Sequence, residues 1–442
     1  MSAQNTSGMG SNTGSSGGSS GGTSSDQMSM PSRRRGRQFT TGAAVGLGVI
    51  LLLVGIGGGY GLGAYLTKTS ASTVDITEAG STLLEPMMDI WGPAYTSNVN
   101  SHVTLSPAGG GSGAGQSESE GGTIDIGASD AYTAPDLGVV DIPVAISSQV
   151  VVYNLGSSFA NIHVNMNGTI VAKIYNGTIT SWTDPMILHA QNHKVVGDLL
   201  NLTTTTITPI VRSDSSGDTN LISTYCDMSY KKWDYGNKTS AFSSTAPANG
   251  FQSGNGNSGV LAKLAAVTGS IGYVGISYLS TIKSDNLGWA NLGDQAANVA
   301  AWNGGNLHLN ASAYKNYIGW SIANVTADAT MALGNLNYAT DGLAINLILG
   351  GSPAGPITWK RGGGGTVNAT GVTPYPDTNL EYTLIKTSPS SPSHQAYVVQ
   401  FEQWVISFGQ SATYLNQVNF VPLTTEIQGL DQQSLSEVTI SG

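Results

Sequence analysis

A strand that ends in a serine- and glycine-rich loop and opens at once into a helix constrains this chain more than any other feature. Thr206-Ile207-Thr208-Pro209-Ile210-Val211 alternates polar and apolar residues, the period of a half-buried strand. Arg212-Ser213-Asp214-Ser215-Ser216-Gly217-Asp218-Thr219 follows. Behind it, Asn220-Leu221-Ile222-Ser223-Thr224-Tyr225 carries apolar residues at helical spacing, and Ser and Asp at its head are N-cap residues. Such a junction aims several backbone N–H groups at one point, where the helix dipole also favours negative charge. Arg212 adds a planar fork that matches a tetrahedral oxyanion. A capped helix start beside a surface arginine explains these residues equally well when they are taken alone.

The same design recurs. Thr73–Ala79 reads as a strand, ends in Gly80-Ser81-Thr82, and opens a helix from Leu83 to Trp91 with Pro86 in its first turn. His102–Ser106 reads as a strand that runs into Gly109-Gly110-Gly111-Ser112-Gly113-Ala114-Gly115. Thr123–Gly127 is a third, ending in Ala128-Ser129-Asp130. In an open α/β sheet such loops gather at the carboxyl ends of the strands, where ligands bind. Val139–Tyr153 is a long β-type run that passes from one lobe to a second. A helical segment at 170–183, a helix at Gly259–Leu264 and a returning strand at Gly269–Ile276 fill the middle of the chain. Gly362–Gly365 reads as a mobile loop, Leu380–Ile385 as a strand and Phe401–Phe408 as a helix. A chain that leaves one lobe, builds another and returns predicts a two-lobed clamp. The expected division is lobe 1 at 73–144, lobe 2 at 145–278 and lobe 1 again at 279–442.

Charged residues make up only 10% of the 442, and the net charge is −10. Long-range steering of an anion is thereby excluded, and no nucleic acid is expected as a partner; any anion site must act through directed hydrogen bonds. The single cysteine, Cys226, allows no internal disulfide and reads as core filling. Residues 1–39 form a Gly/Ser-rich tail that ends in the basic cluster Arg33-Arg34-Arg35-Gly36-Arg37. Thr41–Leu66 is free of charge over roughly 26 residues, more than the ~20 a bilayer crossing requires. A single transmembrane anchor at 40–67 is expected, with a cleaved signal as its alternative. The arginines place its N-terminal side in the cytoplasm and the bulk of the chain on the extracytoplasmic face. Sequons at Asn167, Asn176, Asn201, Asn237, Asn310, Asn324 and Asn368 permit an external surface without demanding one.

Other chemistries fare worse. Gly109-x-Gly111-x-x-Ala114, with Asp130 about 20 residues on, fits a dinucleotide fingerprint superficially. Gln116–Gly121 leaves little room for an apolar crossover helix, which counts against it. Gly110-Gly111-Ser112-Gly113-Ala114 approaches a nucleophile elbow with Ala at its last position, and only His308 or His394 follows in chain order. No catalytic residue is predicted. His189 and His193 stand four apart without a third ligand, so neither a metal nor a cofactor is expected.

Seven segments in order carry a family resemblance. They are Gly80-Ser81-Thr82, Gly111-Ser112-Gly113, Asp125–Asp130, Ile174–Trp182, Arg212–Gly217, Gly269–Val274 and Phe420-Val421-Pro422-Leu423. From about Val74 to Glu426 the chain resembles the phosphate-binding protein of the high-affinity phosphate ABC transporter (PstS-type). The resemblance implies a two-lobed, hinged α/β fold of the type II periplasmic-binding-protein kind, which closes over one dehydrated phosphate. It implies inorganic phosphate and ABC permease subunits as partners of a monomer that is not an enzyme. Carried over position by position, the ligand contacts fall on Thr82, the N–H of Leu83, Ser112, Asp130, Arg212, Ser216, the N–H of Gly217 and Asp218. Asp214 falls where an orienting partner of Arg212 stands. Leu83 replaces an aromatic residue of many members, and Asp218 replaces a Thr of some, an acceptor in place of a donor. A receptor for another oxyanion or a phosphate ester, or a secreted phosphatase or esterase, is the alternative.

The roles make physical sense. Hydroxyls and helix-start N–H groups donate to phosphate oxygens. An ionised Asp130 only accepts, so it requires a ligand that carries a proton; sulfate lacks one and would face a buried like charge. If Asp130 and Asp218 both accept, the monobasic form is preferred and affinity weakens as pH rises above about 7.

Overall fold

The computed structural model describes residues 73–133, 137–230, 232–236, 240, 251–293, 317–333 and 375–440. The Gly/Ser tail, the 40–67 segment, Gly362–Gly365, His308 and the sequons at Asn237, Asn310 and Asn368 lie outside them. No helix among the described residues is long and apolar enough to cross a membrane.

The described residues form twelve strands in chain order: β1 (Val74–Gly80), β2 (Val103–Gly109), β3 (Ile126–Ser129), β4 (Val139–Tyr153), β5 (Asn165–Met166), β6 (Thr208–Arg212), β7 (Gln252–Gly254), β8 (Ser270–Gly275), β9 (Gly288–Trp289), β10 (Asn291–Gly293), β11 (Tyr317–Ile318) and β12 (Thr378–Lys386). The main sheet has the order β2-β1-β3-β12-β4-β8-β6-β7. β1 lies parallel to both β2 and β3, and β6 parallel to β7 and β8. Two groups of parallel strands therefore stand side by side, each with its own loops at the carboxyl ends.

β4 joins them. Its first part, Val139–Ser148, pairs antiparallel with β12, and its last part, Gln149–Tyr153, pairs with β8. From Ile142 to Tyr153 every residue is buried, as expected for a strand covered on both faces. This is the two-lobed α/β arrangement, with β4 crossing between the halves. β9 pairs with the end of β4, and β10 joins β5 to β11. β12 pairs antiparallel with β3 on one side and with the first part of β4 on the other.

α1 (Glu85–Asn98) follows the first loop, and α2 (Ser112–Gly121), a polar helix, fills the stretch that left little room for an apolar crossover helix. α2 needs no apolar face because it packs backbone to backbone. A Cβ on Gly115 would overlap the Ala128 carbonyl oxygen and lie 2.8 Å from that of Ala79; one on Gly127 would strike the Gly115 carbonyl. Small residues replace the apolar stripe, and the helix start comes to the carboxyl ends of β1 and β3. The sequence misplaces some ends. β3 starts at Ile126 because Asp125 turns its carboxylate to the Thr77 N–H and hydroxyl, at 2.8 and 2.9 Å. The late helix spans Pro392–Val405 and not 401–408. His189 and His193 end and begin separate short helices. Cys226 is buried in the core.

Close packing at Gly115 has a measurable consequence. Gly115→Ala is expected to lower the stability of the ligand-free protein by about 2 kcal/mol through overpacking against backbone. Gly197→Ala, in a helix where an added Cβ meets nothing within 4 Å, should raise it by about 0.5 kcal/mol. Urea denaturation of the two variants checks the contrast.

Candidate anion site

Four loop ends meet between the two groups of strands: Ser81-Thr82 after β1, Ser112 at the head of α2, Asp130 after β3, and 212–218 after β6. Ser112 Oγ ties the halves together. It accepts the N–H of Asp130 from its own half and the N–H of Gly217 from the other, both at 3.1 Å. Gly113 N–H also donates across, to the Ser215 carbonyl at 2.9 Å. A Cβ on Gly217 would overlap Asp130 and Ser112 Oγ, so only glycine lets the helix start approach this closely. The loops predicted to converge do converge.

Arg212 is 3% exposed, and its fork is held from two sides. Nε donates to Asp214 Oδ1 at 2.8 Å, Nη2 bonds Asp214 Oδ2, and Nη1 bonds Asp218 Oδ2. Burial alone would favour the neutral guanidine. The bonds and charges of Asp214 and Asp218 outweigh it and hold the guanidinium more firmly charged than usual. Burial likewise pushes Asp214 up, but the hydrogen bond and charge of Arg212 prevail and keep its carboxyl below the ordinary aspartate range. Three of the five guanidinium N–H groups are thereby spent on carboxylates, and the rest remain for another acceptor.

Asp218 sits in the first turn of the Gly217–Ser229 helix, fully buried. Its Oδ2 also takes Asn257 Nδ2 at 2.8 Å, and its Oδ1 takes Gln149 Nε2 at 3.0 Å. Burial first, and the nearby Asp130 charge second, lift its pKa from 3.8 to about 6. Asp130 is 3% exposed and accepts from Ser81 Oγ. Burial raises its carboxyl above the usual range despite the hydrogen bonds of Glu381, Ser81 and Ser112 and the charge of Arg212. Thr82 Oγ1 accepts the N–H and the Nδ2 of Asn257, at 3.2 and 3.1 Å, a second bridge between the halves. Leu83 N–H donates to Ser81 Oγ at 3.1 Å. Ser216 is the N-cap of the long helix, makes no capping bond, and its hydroxyl is buried with no hydrogen-bond partner among the described residues. A buried hydroxyl left so is costly unless a ligand completes it.

All nine residues singled out from the sequence therefore lie in one cluster. Ser81, Gln149, Asn257 and Glu381 belong to it as well and were missed. Ser81 was in view as a member of the first loop; the others sit in stretches without a loop signature. The hydrolase arrangement is absent from the described residues: Ser112 Oγ is engaged by backbone, and His394 Nε2 pairs with Asp125 Oδ1 at 3.0 Å. No group of three or more His, Cys, Asp or Glu among the described residues is arranged to hold a metal.

Comparison with known proteins adds sequence to geometry. Residues 67–330 match the PBP superfamily domain. The phosphate-binding protein PstS of Pasteurella multocida is 26% identical over 382 residues, covering 85% of this chain and 94% of that protein. PstS of Haemophilus influenzae is 25% identical over 365 residues, 82% of this chain and 92% of that one. A solved phosphate-binding protein from Stenotrophomonas maltophilia superposes with a TM-score of 0.52 at 16% identity, over 81% of this chain and 92% of its own; at that identity the likeness is one of fold.

The crowding of buried carboxyls fixes a pH response. Asp218 titrates at 3.8 when exposed and at about 6 when folded, so the folded state holds its proton more tightly. Its contribution is fully present below pH 3.8 and is lost as pH rises through 6, roughly 3 kcal/mol at 1.36 kcal/mol per pH unit. The ligand-free protein should lose stability between pH 4 and pH 7, and Asp218→Asn should flatten that loss. Thermal melts across this range check it.

Proposed function

The chain belongs to the PBP superfamily, and from that premise we propose that it binds inorganic phosphate outside the cytoplasm and passes it to the permease subunits of an ABC transporter. The observation that carries the reading is the junction at Ser112, where loop ends of both halves come within hydrogen-bond distance around a buried arginine. Phosphate enters there as the halves part. On closure, Leu83 and Gly217 exchange their serine partners for phosphate oxygens, while Thr82, Ser112, Ser216 and the remaining N–H groups of Arg212 donate to the others. Asp130 accepts the P–OH. Asp214 and Asp218 hold the guanidinium in place; the oxygens of Asp218 already serve Arg212, Asn257 and Gln149. A micromolar complex requires about 8 kcal/mol, which several charge-assisted bonds at ~1.5–3 kcal/mol each supply after the cost of closure.

Nothing in this scheme breaks a bond in the ligand, and the chain is not assigned an enzymatic activity. A monomer suffices, since both sides of the site come from one chain. Residues 40–67 tether it to the membrane, with Arg33–Arg37 on the cytoplasmic side; recovery of the full chain in the soluble fraction of cells would overturn the tether.

Titration calorimetry of the full chain tests the ligand. Arg212→Ala should weaken phosphate binding at least 100-fold, about 3 kcal/mol, without changing the circular dichroism. Near-normal affinity in that variant would overturn the site. Asp130→Asn should admit sulfate, which the wild-type protein rejects.

A further inference from the structure

Glu381 is a glutamate at the centre of a water-excluded sheet. It lies on β12, between β3 and the first part of β4, and is fully buried. The pairing of β12 with β4 shifts register between Glu381 and Tyr382. Such an irregularity re-aims a side chain and is common beside binding sites. The Glu381 carboxyl is thereby brought beside Asp130, with the Asn379 amide reaching both residues. Its surroundings are uneven. Oε1 takes every donor, Ser147 Oγ from β4 and Asn379 Nδ2 at 3.3 Å, while Oε2 is buried and receives no donor among the described residues. Asn379 Nδ2 also fixes the Asp130 carbonyl, at 2.8 Å. A carboxylate would not leave one oxygen bare in such a place, whereas a carboxylic acid carries its own donor there.

We propose that Glu381 is a specificity-determining residue: a neutral carboxylic acid that donates its O–H to Asp130 and so keeps Asp130 ionised and aimed as the acceptor of the ligand's P–OH. This rests on the phosphate reading above. The charged groups facing the pair are Asp218 from the Gly217–Ser229 helix and Arg212 from the end of β6, with Asp214 behind the guanidinium. Burial first, then the charge and hydrogen bond of Asp130, drive the Glu381 carboxyl well above the usual glutamate range, with the Asp218 charge acting in the same direction. With Glu381 neutral, the pair holds one proton and one negative charge. One charge suffices to reject an unprotonated dianion and to take a protonated one. Once Glu381 ionises, two adjacent negative charges face the anion and binding fails. Glu381 sets the upper pH limit of the site without touching the ligand.

The sign follows. As pH rises through its raised pKa, Glu381 loses its proton and wild-type affinity falls. Glu381→Gln still donates to Asp130 and accepts from Ser147 but cannot ionise. Phosphate's own second ionisation affects both proteins alike, so the ratio of their dissociation constants isolates Glu381. Calorimetry of the full-length proteins from about pH 6 to about pH 9 should show the ratio of wild-type to variant Kd rising at least about fivefold. A ratio constant within about twofold overturns the proposal. Infrared difference spectra of the wild-type protein against Glu381→Gln test it without any ligand. A carboxylic acid C=O band at pH 7 that the variant lacks supports the assignment; its absence overturns it, whether or not phosphate binds. Failure of the wild-type protein to bind phosphate at every pH, with that band present, instead sinks the phosphate reading.

Discussion

Everything at the cleft depends on how one buried positive charge is kept. Arg212 stands almost fully out of water, where an unpaired guanidinium would be prohibitively costly. Asp214 and Asp218 hold it from two sides, and Asn257 and Gln149 in turn hold Asp218. The fork is therefore fixed before any ligand arrives. Asp130 and Glu381 complete a set of four carboxyls around a single cation, an excess of negative charge that only protons relieve. Burial first raises the carboxyls of Asp130, Asp218 and Glu381, and the Asp130 charge adds to it for Asp218 and Glu381. A chain of net charge −10 does not draw anions in from afar, so an anion must be held here by local bonds.

The fold serves this by bringing helix starts and strand ends to one place from two directions. β4 carries the chain from one group of parallel strands to the other, and Ser112 Oγ joins them by taking one N–H from each. Thr82 and Asn257 repeat the connection a short way off. Bonds of this kind form when the halves meet and exchange readily, which suits a site that must open to release what it holds. Gly217 sets the closeness of approach, since any side chain there would strike Asp130.

Much of this was legible in the sequence because strand–loop–helix junctions announce themselves locally. Alternation ends, Ser and Gly appear, and helical spacing begins. β4 was readable from its unbroken apolar run, and the family resemblance placed Thr82, Ser112, Asp130 and Arg212 in one site. Less local features escaped. α2 was missed because its packing face is glycine, and hydrophobic spacing is silent when backbone meets backbone. Asn257, Gln149 and Glu381 sit in a helix and two strands whose sequences give no sign of a site; only tertiary packing turns them inward. β9, β10 and β11 are two or three residues each, too short to show a period in the sequence.

The account turns on a proton shared between a bound anion and Asp130 in a cleft closed to water. Neutron diffraction from crystals grown with phosphate would locate that proton directly. A single phosphate between Ser112 and Arg212, with a deuteron between one of its oxygens and Asp130, is the predicted result. An anion bound elsewhere, or one whose oxygens face Asp130 with no deuteron between them, would contradict it.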